Sequence, residues 1–316
     1  MPQRHFVKIG DYMTVTVKEM LVPSSDGIHN LSGKVFVPSG KIKGLFHIVH
    51  GMTEHIDRYF PLMQKISENG YVCFGFDNLG HGKTAKDDSE LGFIAEKDGY
   101  KYLIEDIKCF SDEIKKEFTN LDYFLFGHSM GSFIVRLFAQ KYGNSIKKLI
   151  VCGTAGPIAI APIGLFITKL LSFLKGKKKY SQFCENLAFG AYNNQTEKIT
   201  EYDWLTNDRE IIDAYSKDKF CTFRFTLSAL CDLIALNINC NKKAWFKLVD
   251  KDLPILLIAG DKDPVGDYGK GVQKVFDNLI KYGKDAEIKL YEGCRHEIHN
   301  DFCKDEMFED IIFFIG

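Results

Sequence analysis

The chain has 316 residues, 45% hydrophobic and 26% charged, so it can bury the core of one large α/β domain with an insertion. Its 41 Lys and Arg residues nearly balance 42 Asp and Glu residues, which excludes a general electrostatic attraction to nucleic acid or to anionic membranes. The nine cysteines show no Cys-x-x-Cys pair and no regular spacing, which argues against a disulfide framework and against a zinc site.

The N-terminal segment, MPQRHFVKIGDYMTV, contains no apolar h-region, so the sequence predicts no secretory signal. Together with the unpatterned cysteines, this favours the reducing cytoplasm as the compartment.

Residues 13–22 and 33–38 alternate between apolar and polar side chains, which predicts two antiparallel strands. Residues 43–51 form a nearly continuous apolar run, as expected of a strand buried on both faces. Strand-like and helical segments then alternate, and this alternation predicts the α/β class, with a mostly parallel sheet covered by helices on both faces. The predicted strands are 71–77, 123–126, 147–153, 253–260 and 286–293, and the predicted helices are 59–70, 100–118, 132–143, 271–283 and 305–315.

The segment 155–251 contains helical patterns but no clear buried strand. We therefore predict a catalytic domain formed by residues 1–154 and 252–316, and a helical cap formed by residues 155–251. Such an insertion would lie over the carboxyl ends of the strands, where ligands bind to open α/β sheets.

Gly127-His128-Ser129-Met130-Gly131 fits the pattern G-x-S-x-G between a short apolar run and an amphipathic helix. In that context the pattern predicts a sharp strand-to-helix turn that lifts a nucleophilic serine clear of the sheet. The simpler interpretation is that Ser129 only caps the helix. A serine nucleophile needs a base and an acidic partner, so the rest of the chain must supply both.

An acidic cluster follows the predicted strand 253–260, and two histidines follow the strand 286–293. Among Asp261, Asp263 and Asp267 we choose Asp263, because two residues of turn allow its side chain to reach back over the sheet. Between the histidines we choose His296, which is nearer to the strand end, and leave His299 as a supporting residue. Catalytic residues in the order Ser, Asp, His, each just after a strand, are typical of a nucleophilic hydrolase.

The predicted nucleophile also requires backbone N–H donors for the oxyanion of a tetrahedral intermediate. One is expected from Met130, directly after Ser129. The other is expected from Met52, after the strand that ends at His50-Gly51. Gly51 and His128 are then expected to border the bound substrate.

Five motifs together resemble the monoacylglycerol lipase and lysophospholipase group of the α/β-hydrolase superfamily, and they extend across the whole predicted catalytic domain. The resemblance implies an α/β-hydrolase fold, the triad and oxyanion donors named above, hydrolysis of single-chain lipid esters, and no cofactor. It also implies that Glu54, His55, Arg58 and Tyr59 shape the oxyanion loop. The motifs are HGMTEHIDRY (50–59), DNLGHGKT (77–84), GHSMG (127–131), GDKDPVGD (260–267) and YEGCRHEIHND (291–301).

Two other kinds of site are not favoured. GHGKT resembles the end of a phosphate-binding P-loop, but Asp77 occupies the position of the required first glycine. The pairs His50 with His55, and His296 with His299, suggest a metal, but the sequence shows no Cys or carboxylate that completes either site. We therefore predict neither a cofactor nor a metal.

The apolar segment 157–174, followed by basic residues up to Lys179, has two interpretations. We favour its apolar side chains as the inner face of the cap. The alternative is an interfacial helix that transiently contacts the surface of an anionic membrane, which would make the protein peripheral to the membrane.

The favoured function is a serine carboxylic ester hydrolase that acts on monoacylglycerols or related lipids. A small-ester esterase, a thioesterase and an acyltransferase would use the same triad and remain open. A non-catalytic ligand receptor on the same fold is less favoured, because no triad element is missing.

Overall fold

A computed structural model describes residues 14–316 of the chain. The predicted absence of a secretory signal concerns an N-terminal segment that lies almost entirely outside the described residues. Within the described part, strands and helices alternate along most of the chain, as the sequence predicts. The strands are β1 (Val15–Pro23), β2 (Asn30–Pro38), β3 (Gly44–Val49), β4 (Tyr71–Phe76), β5 (Tyr123–His128), β6 (Lys148–Cys152), β7 (Ile255–Gly260) and β8 (Ala286–Tyr291). The helices are α1 (Phe60–Glu68), α2 (Gly99–Glu117), α3 (Met130–Tyr142), α4 (Ala161–Lys175), α5 (Gln182–Phe189), α6 (Arg209–Lys217), α7 (Leu227–Cys240), α8 (Lys243–Leu248), α9 (Lys270–Lys281) and α10 (Lys304–Ile315).

The eight strands form one sheet in the order β1-β2-β4-β3-β5-β6-β7-β8. Strands β3 to β8 are all parallel to one another. Strand β2 pairs in antiparallel fashion with both β1 and β4. Every residue of β3, β4, β5 and β7 is buried, which explains why their sequences are continuous apolar runs. The predicted fold class, a mostly parallel sheet covered by helices, is confirmed.

Helices cover both faces of the sheet. Apolar side chains of α1 and α10 pack on one face, and those of α2, α3 and α9 pack on the other. This arrangement places the carboxyl ends of the parallel strands at one edge of the sheet. The loops after β3, β5, β7 and β8 all leave from that edge.

Five helices, α4 to α8, lie between β6 and β7, where the sequence predicts the cap. Helix α7 is buried in the same apolar cluster as α2 and α3, through side chains such as Leu227 and Leu236. It is also joined to the loop before α2, because Thr226 donates to the carbonyl of Gly92 at 2.9 Å. Helices α5 and α8 are short and were not predicted, because neither carries a long apolar repeat.

Helix α4 differs from α7 because most of its surface is exposed. It exposes several large apolar side chains, and Phe173 is 85% exposed. Its buried residues are few and small: Ala161, Thr168 and Ser172. Among the described residues, no helix combines the length and the apolar character needed to cross a membrane.

The cysteines depart from the sequence prediction at one pair. Cys294 and Cys303 are joined as a disulfide, on either side of the segment that carries His296. The other seven cysteines are free thiols, and most of them are buried. One pair beside seven free thiols is not a disulfide framework, but the spacing of nine residues gave no signal of this pair.

Candidate active site

Ser129 lies at the turn between β5 and α3, where its backbone has a φ of 54° and a ψ of −120°. Such a conformation is strained for a non-glycine residue, and it aims the side chain away from the sheet. The turn depends on its flanking glycines. A Cβ atom at Gly131 would lie 2.1 Å from the carbonyl oxygen of Val49, and one at Gly127 would lie 2.5 Å from the carbonyl oxygen of Gly131.

The structure brings Asp263 and His296 together from the loops after β7 and β8. The Oδ2 atom of Asp263 lies 2.9 Å from Nδ1 of His296, and both side chains are buried. The two atoms are in ion-pair contact, and within residues 14–316 neither of them has a hydrogen-bond partner. Oδ1 of Asp263 accepts a hydrogen bond of 2.8 Å from the backbone N–H of Val265, which fixes the carboxylate in place.

The alternatives from the sequence take other positions. Asp261 accepts a hydrogen bond of 2.7 Å from the N–H of Gly293, so it joins the loops after β7 and β8. Asp267 lies in a turn with a left-handed φ of 51°. The ring of His299 is buried and stacks on Tyr59, with 4.5 Å between ring centroids.

Ser129 lines the cavity and His296 packs against one of its other lining residues, with no hydrogen bond between Ser129 and His296 in the part of the chain that the structure describes. The ring of His296 lies 5.1 Å from that of Trp204, and both Trp204 and Ser129 line the cavity. Triad hydrogen bonds are often long or poorly aligned without substrate and tighten when it binds. The lack of a hydrogen bond between Ser129 and His296 therefore does not argue against a triad.

Two backbone N–H groups near Ser129 are available as donors. Within residues 14–316, no acceptor is found for the N–H of Met52 or of Met130. Met130 is the first residue of α3, whose initial N–H groups have no partner within the helix. The neighbouring Gly51 lies close to the serine, since a Cβ atom on it would be 2.9 Å from Cβ of Ser129.

A buried carboxylate holds the loop that carries Met52. Glu54 accepts hydrogen bonds from the N–H of Gly51, from the hydroxyl of Tyr59 at 2.9 Å, and from Nδ1 of His128 at 3.1 Å. His128 in turn contacts the carbonyl oxygen of His296 through Nε2 at 3.2 Å. The loops that carry Met52, Ser129 and His296 are therefore connected by one buried polar network.

The charges in this network reinforce one another. Burial alone would raise the pKa of Glu54, but the hydrogen bond and charge of His128, together with Arg58, hold it well below its ordinary value. Burial alone would lower the pKa of His128, yet its contact with Glu54 raises it. His299, beside the same pair, has a pKa well below the ordinary value because of burial and the neighbouring charge of His128. The network therefore contains an ion pair and a neutral histidine.

Arg58 extends the network to the residue after His296. Its guanidinium pairs with Glu297 and lies 3.7 Å from Glu54. Cap residues support the same segment, because the N–H of Glu297 donates to the carbonyl of Leu205 at 2.7 Å. Arg295 reaches the cap as well, with a 2.7 Å hydrogen bond to the carbonyl of Asp203. The sequence gave no signal for these partners, which lie about ninety residues apart along the chain.

An apolar cavity of about 360 Å³ opens beside Ser129. Residues of α3, α4, α5 and α7 line it, together with Met52 and Met130. The apolar side chains that face it include Phe133, Ile158, Ile163, Ile167, Leu187 and Leu233. Its size and lining suit a single aliphatic chain.

A second, smaller cavity of about 240 Å³ adjoins the first and contains more polar groups. The two cavities share Met52, Phe189, Tyr192 and Trp204 as lining residues, so they meet close to Ser129. The remaining residues that line the second cavity include Thr53, Asn186, Asn193, Glu201, Tyr202, Tyr215 and Arg224. The arrangement can accept an apolar chain on one side of the serine and a polar group on the other.

Comparison with known proteins identifies relatives over nearly the whole chain. A family described as Serine aminopeptidase, S33 (Hydrolase_4) matches residues 40–302. The monoglyceride lipase of Mus musculus is 25% identical over 268 residues, which cover 84% of this chain and 78% of that protein. The monoacylglycerol lipase of Mycolicibacterium smegmatis is 23% identical over 295 residues, covering 89% of this chain and 94% of that protein.

Among solved structures, a thermostable carboxyl esterase from Bacillus coagulans, in complex with glycerol, is 34% identical with a TM-score of 0.90. The match covers 96% of this chain and 98% of that chain. The α/β-hydrolase fold expected from the sequence motifs is thereby confirmed.

Proposed function

This chain belongs to the Serine aminopeptidase, S33 family (Hydrolase_4), and from that premise we propose that it hydrolyses the ester bond of monoacylglycerols and similar single-chain lipids. The coarser statement, that it is a hydrolase of carboxylic and lipid esters, follows from its similarity to monoglyceride lipases. The observation that best supports the finer one is the pair of unlike cavities that meet beside Ser129.

In the proposed mechanism, Ser129 attacks the ester carbonyl while Nε2 of His296 takes its proton. The N–H groups of Met52 and Met130 stabilise the oxyanion that forms. His296 then protonates the leaving alcohol, and water releases the fatty acid from the acyl-enzyme by the same steps. Asp263 orients His296 through Nδ1 and stabilises its positive charge.

The apolar cavity is assigned to the acyl chain. Each methylene that leaves water for an apolar site contributes about 0.8 kcal/mol, so a chain of moderate length binds well without a polar contact. The second cavity is assigned to the alcohol. Its hydroxyl and amide groups, such as those of Thr53, Asn193 and Tyr202, can pair with the hydroxyls of a glycerol group.

Two neighbouring activities are distinguished by the same features. The family description names an aminopeptidase, but the lining of the larger cavity favours an acyl chain over a charged peptide N-terminus. The 34% identity to a carboxyl esterase favours a second candidate, hydrolysis of small esters. The length of the acyl chain that gives the highest kcat/KM separates that candidate from a lipase.

We also propose that the outer face of α4 contacts the membrane surface from which lipid substrate enters. Phe166, Phe173 and Leu174 are each more than 60% exposed and do not line the cavity, and Lys175 at the end of the helix leads into the run Lys177–Lys179. Exposed apolar side chains next to lysines are typical of a helix that lies in the headgroup region of anionic lipids.

The test uses a fluorescent fluorophosphonate, which labels activated serines, together with release of fatty acid from 1-monoacylglycerols of increasing chain length. We expect wild-type protein to be labelled and Ser129→Ala to be neither labelled nor active, with turnover lower by about a millionfold. Ser132→Ala provides a matched control for a neighbouring serine that lies outside the triad.

Each outcome separates the candidates. A maximum at long acyl chains supports the lipase, and a maximum at acetyl or butyryl esters supports the small-ester esterase. Acyl transfer to added alcohol in preference to water would identify an acyltransferase. Labelling that persists in Ser129→Ala would show that another residue is the nucleophile and would overturn the mechanism.

A further inference from the structure

His55 takes part in a second cluster that lies outside the triad. Its Nε2 atom is 2.8 Å from Oδ2 of Asp218, which follows helix α6 of the cap. The ligand atoms of His55, Asp218 and Cys221 all lie within 4.8 Å of one another. The sequence alone showed no Cys or carboxylate that could complete a metal site at His55, because both partners are more than 160 residues away.

One tight turn presents both cap ligands. The backbone N–H of Cys221 donates to the carbonyl oxygen of Asp218 at 3.0 Å, so the two side chains lie at the ends of the same turn. The N–H of Phe220 donates to Oδ1 of Asp218 at 2.8 Å, which orients the other oxygen, Oδ2, toward His55. Within residues 14–316, the sulfur of Cys221 has no hydrogen-bond partner.

From this geometry we propose that His55, Asp218 and Cys221 bind one Zn²⁺ ion, with water as the fourth ligand. Imidazole, carboxylate and thiolate are the three side-chain ligands that zinc prefers. Around a tetrahedral zinc ion such atoms lie roughly 3.3–3.5 Å apart, so the 2.8 Å contact between His55 and Asp218 would lengthen slightly, and the 4.8 Å limit on all three ligand atoms leaves the sulfur within reach. The proposal does not depend on the ester hydrolase activity.

The surroundings allow an ion to enter. Asp218 is one-third exposed, and Cys221 lines the polar cavity beside the triad. The nearby positive charge of Arg58 is already compensated by Glu297 and Glu54. A second cluster, formed by Glu54, His128 and His299, is less suited to a metal, because Glu54 already accepts three protein hydrogen bonds in an enclosed site.

A bound ion would connect two parts of the molecule that otherwise meet through side-chain contacts. His55 follows the loop that carries Met52, while Asp218 and Cys221 belong to the cap. Zinc would therefore hold the cap turn against that loop and restrict any movement of the cap during substrate entry and product release. We expect zinc to raise the thermal stability of the protein; a lower turnover of long-chain esters is a further expectation that rests on the proposed function.

The test measures metal binding directly on the full-length, metal-stripped protein. Co²⁺ replaces zinc as a coloured probe, because a thiolate ligand gives an intense charge-transfer absorption that histidine and carboxylate ligands do not give. Calorimetric titration with Zn²⁺ then gives stoichiometry and affinity. The variants are Cys221→Ser and Asp218→Asn, and Cys231→Ser, at a partly buried cysteine of α7, is the matched control.

We expect one Co²⁺ per chain with a charge-transfer band that Cys221→Ser abolishes and Cys231→Ser retains. Zinc affinity should fall more than about 100-fold in Cys221→Ser and in Asp218→Asn, since loss of a direct ligand costs at least as much as loss of a supporting residue. Circular dichroism verifies that each variant is folded. If Cys221→Ser does not fold, the test rests on Asp218→Asn, whose side chain is partly exposed. Absence of the band in wild-type protein, or equal zinc affinity in wild type and both variants, would overturn the proposal.

Discussion

Helix α4 and the loops around Ser129 face each other across the apolar cavity, but they are held in place by different means. The loops are joined by the buried ion pair of Glu54 and His128 and by the pairing of Arg58 with Glu297. Helix α4 buries only a few small side chains and exposes large apolar ones. Buried charged pairs therefore hold the loops around Ser129, while the opposite wall of the cavity, formed by α4, is held by few buried side chains.

The cap itself contains both kinds of structure. Helix α7 belongs to the apolar core that it shares with α2 and α3, whereas α4 is attached mainly through α7 and α5. The segment that the sequence predicts as a single cap therefore contains one helix that is part of the core, α7, and one that is largely exposed, α4. Substitutions on the loop side should alter kcat for every substrate, and substitutions in α4 should alter only the choice among substrates.

The largest effect is expected from Glu54→Gln. The change leaves His128 without its buried partner charge, removes one of the two carboxylates beside Arg58, and loosens the N–H of Gly51, next to Met52. We expect the free energy of unfolding to fall by about 3–5 kcal/mol and kcat to fall about 100-fold or more, equally for short and long esters. Chemical denaturation and steady-state kinetics measure the two effects.

Glu297→Gln is the comparison variant, because it also removes a partner of Arg58 but leaves the hydrogen bond from Gly51 to Glu54 in place. It should lower stability with a smaller effect on kcat. A Glu54→Gln protein with normal kcat would show that the network does not position the donors.

A smaller effect, confined to stability, is expected for Asp232→Asn in helix α7. Burial raises the pKa of Asp232 to about 7, although backbone N–H groups of Tyr100 and Gly99 oppose the shift. A carboxyl whose folded pKa lies above its unfolded value destabilises the fold as pH rises between the two values. Ionisation of Asp232 should therefore lower the free energy of unfolding of the wild-type protein between about pH 4 and pH 7, by up to a few kcal/mol.

Asp232→Asn removes the charge, so the variant should gain stability relative to wild type as pH rises through that window and hold the gain above it. Asp277→Asn, at an exposed position of α9, provides the control and should not change the pH dependence. Parallel pH profiles for wild type and Asp232→Asn would show that the carboxyl is not buried as described.

The third effect concerns substrate choice. Ile167 of α4 lines the apolar cavity, so Ile167→Phe should shorten the space available to an acyl chain. We expect kcat/KM for the longest esters to fall about tenfold or more, with short esters unchanged, since about 0.8 kcal/mol is lost for each methylene excluded. Rates measured over a series of chain lengths test this expectation. If kcat/KM falls equally for all chain lengths, α4 does not select among substrates and acts on turnover in the same way as the loops around Ser129.

The smallest effect is expected at the outer face of the same helix. Phe173→Ser removes an apolar side chain that is 85% exposed and does not line the cavity. Binding to anionic vesicles should weaken about threefold to tenfold, while hydrolysis of dispersed short esters stays unchanged. Co-sedimentation with vesicles at low and high salt measures it. If wild-type protein does not bind the vesicles at low salt, the proposed membrane contact is wrong.

Local patterns accounted for the sheet and most of its helices. Each buried strand is a continuous apolar run, and α2 and α9 repeat apolar residues at helical spacing. The same local logic led to Ser129, because the two glycines and the following helix are adjacent in sequence. Asp263 and His296 could be chosen because the strands before them were recognisable.

Contacts between distant segments could not be read in this way. Glu54 meets His128 across 74 positions, and His55 meets Asp218 across 163, without any periodicity that would relate them. Trp204 lies in a cap segment without regular structure, so nothing local indicated that its ring lies beside His296. These residues come into contact only after the sheet has brought their loops together, so the sequence alone does not indicate that they are partners.

The order of the strands has a consequence for protein synthesis. Ser129 leaves the ribosome with the central strands, but His296 follows β8, the last strand at one edge of the sheet. The segment that carries His296 also needs the carbonyl of Leu205 and the guanidinium of Arg58, which are made much earlier and must wait for it. On the proposed mechanism, a nascent chain that already presents an acyl-binding cavity stays without esterase activity until the segment that carries His296 is released and folded.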